Sequence, residues 1–269
     1  MHDEFSMKGR KALVTGASMS IGRSIALGFA NHGAQVGIHH SAAADAKAGL
    51  PDAAQATLAA VRAAGTDGCL VEADLATEGG GGRAVEQAIA ALGQVDILVV
   101  CASIQYRTPF LDATAAEMDH QFAINFRATI ELLQAALPPM KQRGWGRVLT
   151  IGSINQDRPA PDLAVYAALK SAQKNVAMNL AREYAPFNVM INNLAPGLVA
   201  TERNRWRRQD AEDWKRIEQS AAAPIGRAGR PDEMVGAALL LCSEAASYIA
   251  GADLMVTGGA HLPGLPARS

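Results

Sequence analysis

The chain has 269 residues, 49% of them hydrophobic and 5% aromatic, with a formal net charge of -1. That length fits one large α/β domain or two small ones, and the charge gives no reason to expect nucleic acid or an anionic membrane as a partner. The three cysteines, Cys69, Cys101 and Cys242, are widely spaced without a CxxC pair, so they read as buried apolar thiols suited to a reducing compartment. No stretch is long enough to cross a bilayer and the first residues carry no apolar signal core, so a cytoplasmic location is expected. No metal site is expected either. His39 and His40 are the one adjacent histidine pair, and neighbours on a strand point to opposite faces, which is poor for chelation.

Residues 11–15 form a short apolar run, a buried-strand candidate. The turn Thr15-Gly-Ala-Ser-Met-Ser-Ile-Gly22 follows, then an apolar-periodic helix over 21–32 ended by Gly33, then a second strand over 34–39. This is one βαβ unit. An Ala-rich helix over 53–64 leads to a third strand, 69–72, which closes with Ala73-Asp74-Leu75. Gly79 to Gly82 read as a flexible tetraglycine before a helix over 83–92. A fourth strand spans 95–100 and a long helix 115–137. A fifth strand over 147–151 runs into Gly152-Ser153, and the helix carrying Tyr166 comes next. A sixth strand over 188–194, a helix over 231–243 and a last strand over 254–256 complete the pattern. Strands alternating with helices predict a parallel sheet with helices on both faces, and no linker divides the chain, so one domain over 1–269 is expected. In such folds ligands sit at the carboxyl ends of the strands. The glycine turn, Asp74, Ala102-Ser103, Ser153 and Pro196-Gly197 all fall just after strands, on one edge of the sheet.

The chemistry centres on Tyr166-Ala-Ala-Leu-Lys170, with Ser153 thirteen residues before the tyrosine. Positions i and i+4 share a helix face. A phenol has an ordinary pKa of about 10, and a neighbouring ammonium lowers it by favouring the phenolate. Ser153 is placed to hydrogen-bond a substrate oxygen while Tyr166 moves the proton. That is a chemistry of C–OH to C=O interconversion with hydride passed to a cofactor. In the first turn, Gly16 allows the tight bend and Gly22 close helix packing, and the helix N-terminus offers N–H groups to a pyrophosphate.

Over about residues 8–260 the chain resembles the short-chain dehydrogenase/reductase family. The resemblance rests on Thr15-Gly16 with Gly22, Asp74-Leu75, Asp96-Ile97-Leu98-Val99, Asn125, Ser153, Tyr166-x-x-x-Lys170, Asn192-Asn193-Leu194-Ala195-Pro196-Gly197 with Thr201, and Gly258-Gly259. It implies a Rossmann-type doubly wound fold of about seven strands and a nicotinamide-dependent oxidoreductase. It implies a catalytic tetrad of Asn125, Ser153, Tyr166 and Lys170. Tyr166 would be acid in reduction and base in oxidation, and Lys170 would also bind the nicotinamide ribose. Asn125 would hold a proton-relay water near Lys170. Cofactor contacts are expected from Gly16, Ser18, Ser20, Ile21, Gly22, His39, His40, Asp74, Leu75, Ala102, Tyr166, Lys170, Pro196, Gly197, Val199 and Thr201. Asp74 would take the adenine amino group, and residues 198–222 would form a substrate lid. Homotetramers or homodimers would form through helices near 115–137 and 164–184.

Three positions depart from the family pattern. Ser20 stands where a middle glycine is usual, bringing a Cβ or a hydroxyl to the phosphates. Val100-Cys101-Ala102-Ser103 replaces Asn-Asn-Ala-Gly after the fourth strand, and Thr257 replaces an aspartate. The second strand ends in His39-His40-Ser41 with no acid to repel a 2′-phosphate, so NADP is the expected cofactor and NAD the alternative. The lid is dense in charge, and Trp206 and Trp214 are placed to share a helical face. Polar residues Gln105, Arg107, Asn155, Gln156, Asp157 and Arg158 around the site suggest a small polar substrate: a sugar, polyol or hydroxy acid. A 3-oxoacyl thioester (acyl carrier protein) reductase is the alternative enzyme, and a catalytically silent nucleotide-binding scaffold the alternative of another class.

Overall fold

The computed structural model describes residues 3–221 and 223–263. Met1 and His2 at the N-terminus, Ala222 in the expected lid, and residues 264–269 lie outside the described residues. The seven expected strands all form: β1 Lys11–Val14, β2 Gln35–His40, β3 Gly68–Glu72, β4 Ile97–Val100, β5 Gly146–Ile151, β6 Val189–Pro196 and β7 Asp253–Val256. They build one sheet in the order β3-β2-β1-β4-β5-β6-β7, every pair parallel. The order reverses between β1 and β4, and this switch point opens a crevice at the strands' carboxyl ends.

Alternation along each strand feeds two cores. Ala12 and Val14 of β1, Ile97 and Val99 of β4, and Leu149 and Ile151 of β5 face α1 (Ser20–Asn31) and α9 (Val235–Cys242). Leu13, Leu98, Val100 and Val148 face α4 (Gly80–Leu92), α6 (Ala128–Arg143) and α7 (Ala164–Tyr184). Being apolar on both sides is what parallel strands between helix layers require. At the opposite end of the sheet the buried Arg147 donates to the carbonyls of Ser243, Gly146 and Asn188 and lies over Trp145.

Several helices differ from expectation. The tetraglycine is not a flexible approach. Gly79 takes a left-handed conformation and Gly80–Gly82 are the first turn of α4. Glu131 caps that turn, accepting at 2.9 Å from both Gly79 N and Gly81 N. A Cβ at Gly81 would stand 2.7 Å from the Ala128 carbonyl oxygen, so glycine here permits close packing of α4 on α6. The long helix is broken into α5 (Ala115–Phe122), a π-helical turn over Ala123–Arg127, and α6. The helix expected over 231–243 begins as a 3-10 turn, Pro231–Met234, before α9. Two helices follow β2 where one was expected: α2 (Ala42–Lys47), capped by Ser41, and α3 (Ala53–Ala63). Trp206 and Trp214 do not share a face. Trp206 lies in the 3-10 segment Glu202–Gln209 and Trp214 in α8 (Ala211–Ser220), with the extended Asp210 between.

Candidate active site

Tyr166 and Lys170 lie one turn apart on α7, both buried, with the Lys170 ammonium 6.0 Å from the centre of the Tyr166 ring. Lys170 Nζ donates to the Ile151 carbonyl at 2.7 Å and to Gln173 Oε1 at 3.0 Å. These bonds fix the ammonium at the end of β5. Burial alone would raise the Tyr166 pKa, but Lys170 first, then Arg203, then the neighbouring hydroxyls of Ser153 and Ser103, bring it below its ordinary value. Burial and Arg203 depress Lys170, and Tyr166 opposes them. Ser153 follows β5 directly and its hydroxyl accepts from Asn155 N at 3.2 Å.

Asn125 sits inside the π turn, yet its side chain does not reach toward Lys170. It clamps the loop after β4, accepting from Ile104 N at 2.9 Å and donating to Ile104 O at 2.8 Å. The link to Lys170 runs through its backbone. Thr129 donates to the Asn125 carbonyl at 3.1 Å, and Gln173 bridges Thr129 and Lys170. Gln173 lies three positions beyond Lys170, so helical spacing was the signal for it. Thr15 has no such local signal. Its hydroxyl accepts from Cys101 N and Ala102 N at 2.8 and 3.0 Å. It thereby holds the backbone after β4 without the asparagine pair that the family carries there.

The glycine turn brings backbone into close contact at the start of α1. A Cβ at Gly16 would come within 3.0 Å of Ala102 Cα, and one at Gly22 within 2.2 Å of the Gly16 oxygen. Ile21 stands in the first turn of α1, which has no side-chain cap and leaves N–H groups free for a phosphate. Ser20 adopts φ of +53°, the left-handed conformation a glycine would take. Its hydroxyl accepts from Glu202 N at 3.0 Å, joining this turn to the segment after β6.

The histidines divide between two tasks. His39 accepts from Gly16 N at 3.1 Å through Nδ1, and its Nε2 meets the Ala73 carbonyl at 3.1 Å. Both ring nitrogens are spent on the protein, so the expected side-chain contact of His39 with cofactor is not available. Burial drives its pKa from 6.5 down to about 4, against the Ala73 hydrogen bond. Above pH 6.5 the ring is neutral whether folded or not. Between 6.5 and 4 only the unfolded chain takes up the proton, so stability falls as pH falls, by about 3 kcal/mol in all. Tm measured against pH should therefore drop across this window in the wild type and follow a flatter course in His39→Asn. Parallel curves would rule the buried neutral ring out.

His40 lies 3.4 Å from Asp45 across a buried contact, and Asp45 also accepts from Ser18 Oγ at 2.7 Å. The Ser18 hydroxyl is thus committed to Asp45, and the Asp45 carboxylate is turned inward. Asp74 is exposed, with one oxygen taking Ala76 N at 2.8 Å, and Leu75 beside it is buried. Pro196 ends β6, and Gly197 packs on Thr257, where a Cβ would meet the Thr257 backbone at 3.0 Å. The buried Val199 and the partly exposed Thr201 follow.

The polar residues beside Ser153 serve mostly the protein itself, which corrects their reading as a polar mouth. Gln156 is buried against Asn193 and Asp253, Asp157 pairs with Lys174, Arg158 binds the Ala221 and Ala260 carbonyls, and Arg107 pairs with Asp162. The thiols also need correction, since Cys69 and Cys101 are only partly buried while Cys242 is fully so. Burial pushes the Cys101 thiol up to about 11. Among the described residues no group of three or more potential ligands is placed to hold a metal, and no helix is long and apolar enough to cross a membrane.

Comparison with known proteins shows what the chain is similar to. The family described as enoyl-(acyl carrier protein) reductase matches residues 16–261, and its relatives are short-chain dehydrogenases. The chain belongs to the short-chain dehydrogenase/reductase family. Gluconate 5-dehydrogenase of Gluconobacter oxydans (strain 621H) is 35% identical over 259 residues, 96% of each chain. L-rhamnose 1-dehydrogenase (NAD(P)(+)) of Sphingomonas sp. (strain SKA58) is 31% identical over 257 residues, 95% of this chain and 98% of that one. The crystal structure of a 3-oxoacyl (acyl-carrier-protein) reductase from Agrobacterium tumefaciens C58 with NADP bound is 43% identical and superposes with a TM-score of 0.89, over 96% of this chain and 97% of that one. In short-chain dehydrogenase terms, the sheet order, the glycine turn and the Tyr166–Lys170 pair of this chain all fall at one switch point.

Proposed function

We propose that this protein is an NADP-dependent dehydrogenase that interconverts a secondary alcohol and a ketone on a sugar, polyol or hydroxy acid. The observation that carries the reading is the buried Tyr166–Lys170 pair beside Ser153, with the phenol held below its ordinary pKa. Bound at the switch point, the nicotinamide supplies or accepts hydride. Tyr166 takes the alcohol proton in oxidation and returns it in reduction. Ser153 orients the reacting oxygen. Lys170, fixed by Ile151 and Gln173, keeps the phenolate accessible, and Asn125 holds the loop after β4 in place. The free N–H groups of α1 with Gly16, Ser20 and Gly22 fit the pyrophosphate.

The gluconate and rhamnose dehydrogenases named above favour a polyhydroxylated substrate. The Agrobacterium reductase favours a second reading, reduction of a 3-oxoacyl thioester. We read the chain as one domain with a lid beginning near residue 198. Self-association through α6 and α7 is supported by an apolar groove between them lined by Ile130, Leu137, Val176, Leu180 and Tyr184. A cytoplasmic setting accords with the free thiols.

A fluorescence titration tests the cofactor assignment. NADPH should bind with micromolar Kd and at least about tenfold more tightly than NADH, as expected where a 2′-phosphate gains charge-assisted hydrogen bonds. Turnover of D-gluconate or L-rhamnose above that of acetoacetyl-coenzyme A should follow. Absence of nucleotide binding would sink hydride transfer altogether, and preferential reduction of the thioester would replace the sugar reading with the second.

A further inference from the structure

The lid segment Glu202–Gln209 carries four arginines. Arg205 pairs with Glu202, Arg207 lies over Trp206, and Arg208 donates to the Thr201 carbonyl. Arg203 is different. Among the described residues no carboxylate lies within salt-bridge distance of it, and its one hydrogen bond crosses the mouth of the site, Nη2 donating to the Ser103 carbonyl at 2.6 Å. A guanidinium has five N–H donors in a planar fork, so most of this one stays free. Its side chain is exposed, and its bond to the Ser103 carbonyl brings it to the loop after β4, near enough for its charge to act on Tyr166, Lys170 and Cys101. Beside it, Ser103 Oγ is buried with no hydrogen-bond partner of good geometry. A buried polar atom without a partner is costly unless a ligand supplies one. The reaction centre therefore holds two cations, Lys170 and Arg203, and a hydroxyl in want of a partner, while the nearby Glu202 turns to Arg205.

We propose that Arg203 anchors a carboxylate of the substrate and Ser103 Oγ bonds one of its hydroxyls, so that the enzyme acts on a hydroxy acid of the aldonate type rather than on a neutral sugar or polyol. This rests on the alcohol–ketone reading above and narrows it. An arginine fork matches a carboxylate in two parallel hydrogen bonds, and the tie to the Ser103 carbonyl holds the fork at the loop after β4.

The test is isothermal titration of the NADP-loaded protein with D-gluconate and with D-sorbitol, its uncharged counterpart. Wild type should prefer gluconate. Arg203→Leu should weaken gluconate by between about tenfold and 150-fold, the range for a charged hydrogen bond, and leave sorbitol unchanged. Arg203→Lys should recover part of the loss, and Arg205→Leu on the same lid should behave as wild type. Equal gluconate affinity in wild type and Arg203→Leu would overturn the assignment, as would a wild type that takes gluconate no better than sorbitol. A more than tenfold loss of NADPH affinity in Arg203→Leu would also overturn it, by making Arg203 a cofactor contact. The alcohol–ketone reading fails separately, if the wild type binds no nucleotide at all.

Discussion

Tyr166→Phe should lower kcat by about a thousandfold, the middle of the range for a general acid–base group, while NADPH Kd changes by less than roughly threefold. The substitution removes the phenolic oxygen alone, and the ring's packing in α7 is kept. The pH profile gives a second readout. Oxidation needs the phenolate, so its rate rises with pH and levels off above the Tyr166 pKa, which lies below the ordinary phenol value. Reduction needs the protonated phenol, so its rate falls over the same interval. In Lys170→Met the largest influence lowering that pKa is lost and burial acts with less opposition, so both limbs should move to higher pH. A Tyr166→Phe enzyme with wild-type kcat, or limbs that stay in place in Lys170→Met, would remove the pair from the reaction.

Gly22→Ala should damage both folding and cofactor binding. Its Cβ would stand 2.2 Å from the Gly16 oxygen, 2.8 Å from the Gly16 carbonyl carbon and 3.2 Å from Ala17 Cα. All three are backbone atoms of the phosphate turn, and none can rotate away as a side chain would. Overpacking of this kind costs about 1–3 kcal/mol or more, which in a chain of this size is a Tm fall of roughly 2–12 °C. NADPH affinity should fall together with Tm, because the atoms displaced are those that shape the cradle. Gly82 in α4 is the control, since nothing lies within 4 Å of a Cβ there. Gly82→Ala should hold or slightly raise Tm, as alanine is the better helix former. A Gly22→Ala protein matching Gly82→Ala in both measurements would show that the turn has room the structure denies it.

Much of this fold was legible in order along the chain because buried parallel strands are apolar on both faces. Leu98 and Val99 serve opposite cores, so β4 reads as an unbroken apolar run. The placing of Asp74, Ser153 and Pro196 at strand ends followed from that pattern. Other features were hidden because they are settled by contacts across the chain. Four glycines look flexible until Glu131, some fifty residues on, caps them. His39 looks like a ligand until Gly16 and Ala73 take its two nitrogens. Gln156 and Asp157 look like a polar mouth until Asn193, Asp253 and Lys174 claim them. Arg203 was one charge among many on the lid, and only its bond to Ser103 separates it from the rest.

Ser20 carries one more consequence. A hydroxyl has one proton to give and two lone pairs to receive. At Ser20 a lone pair receives the Glu202 amide, and the proton remains to be given. A phosphate oxygen arriving at the turn would take that proton without displacing the lid, and each bond would polarise the hydroxyl in favour of the other. Were a phosphate to bind there, the two bonds would be cooperative rather than competing, and by reciprocity whatever steadied the Glu202 contact would tighten the hold on nucleotide by the same factor. A glycine at this position would surrender that linkage while relieving the left-handed backbone. On that footing the departure from the family's glycine would exchange local ease for a connection between the turn and the segment that begins at Glu202.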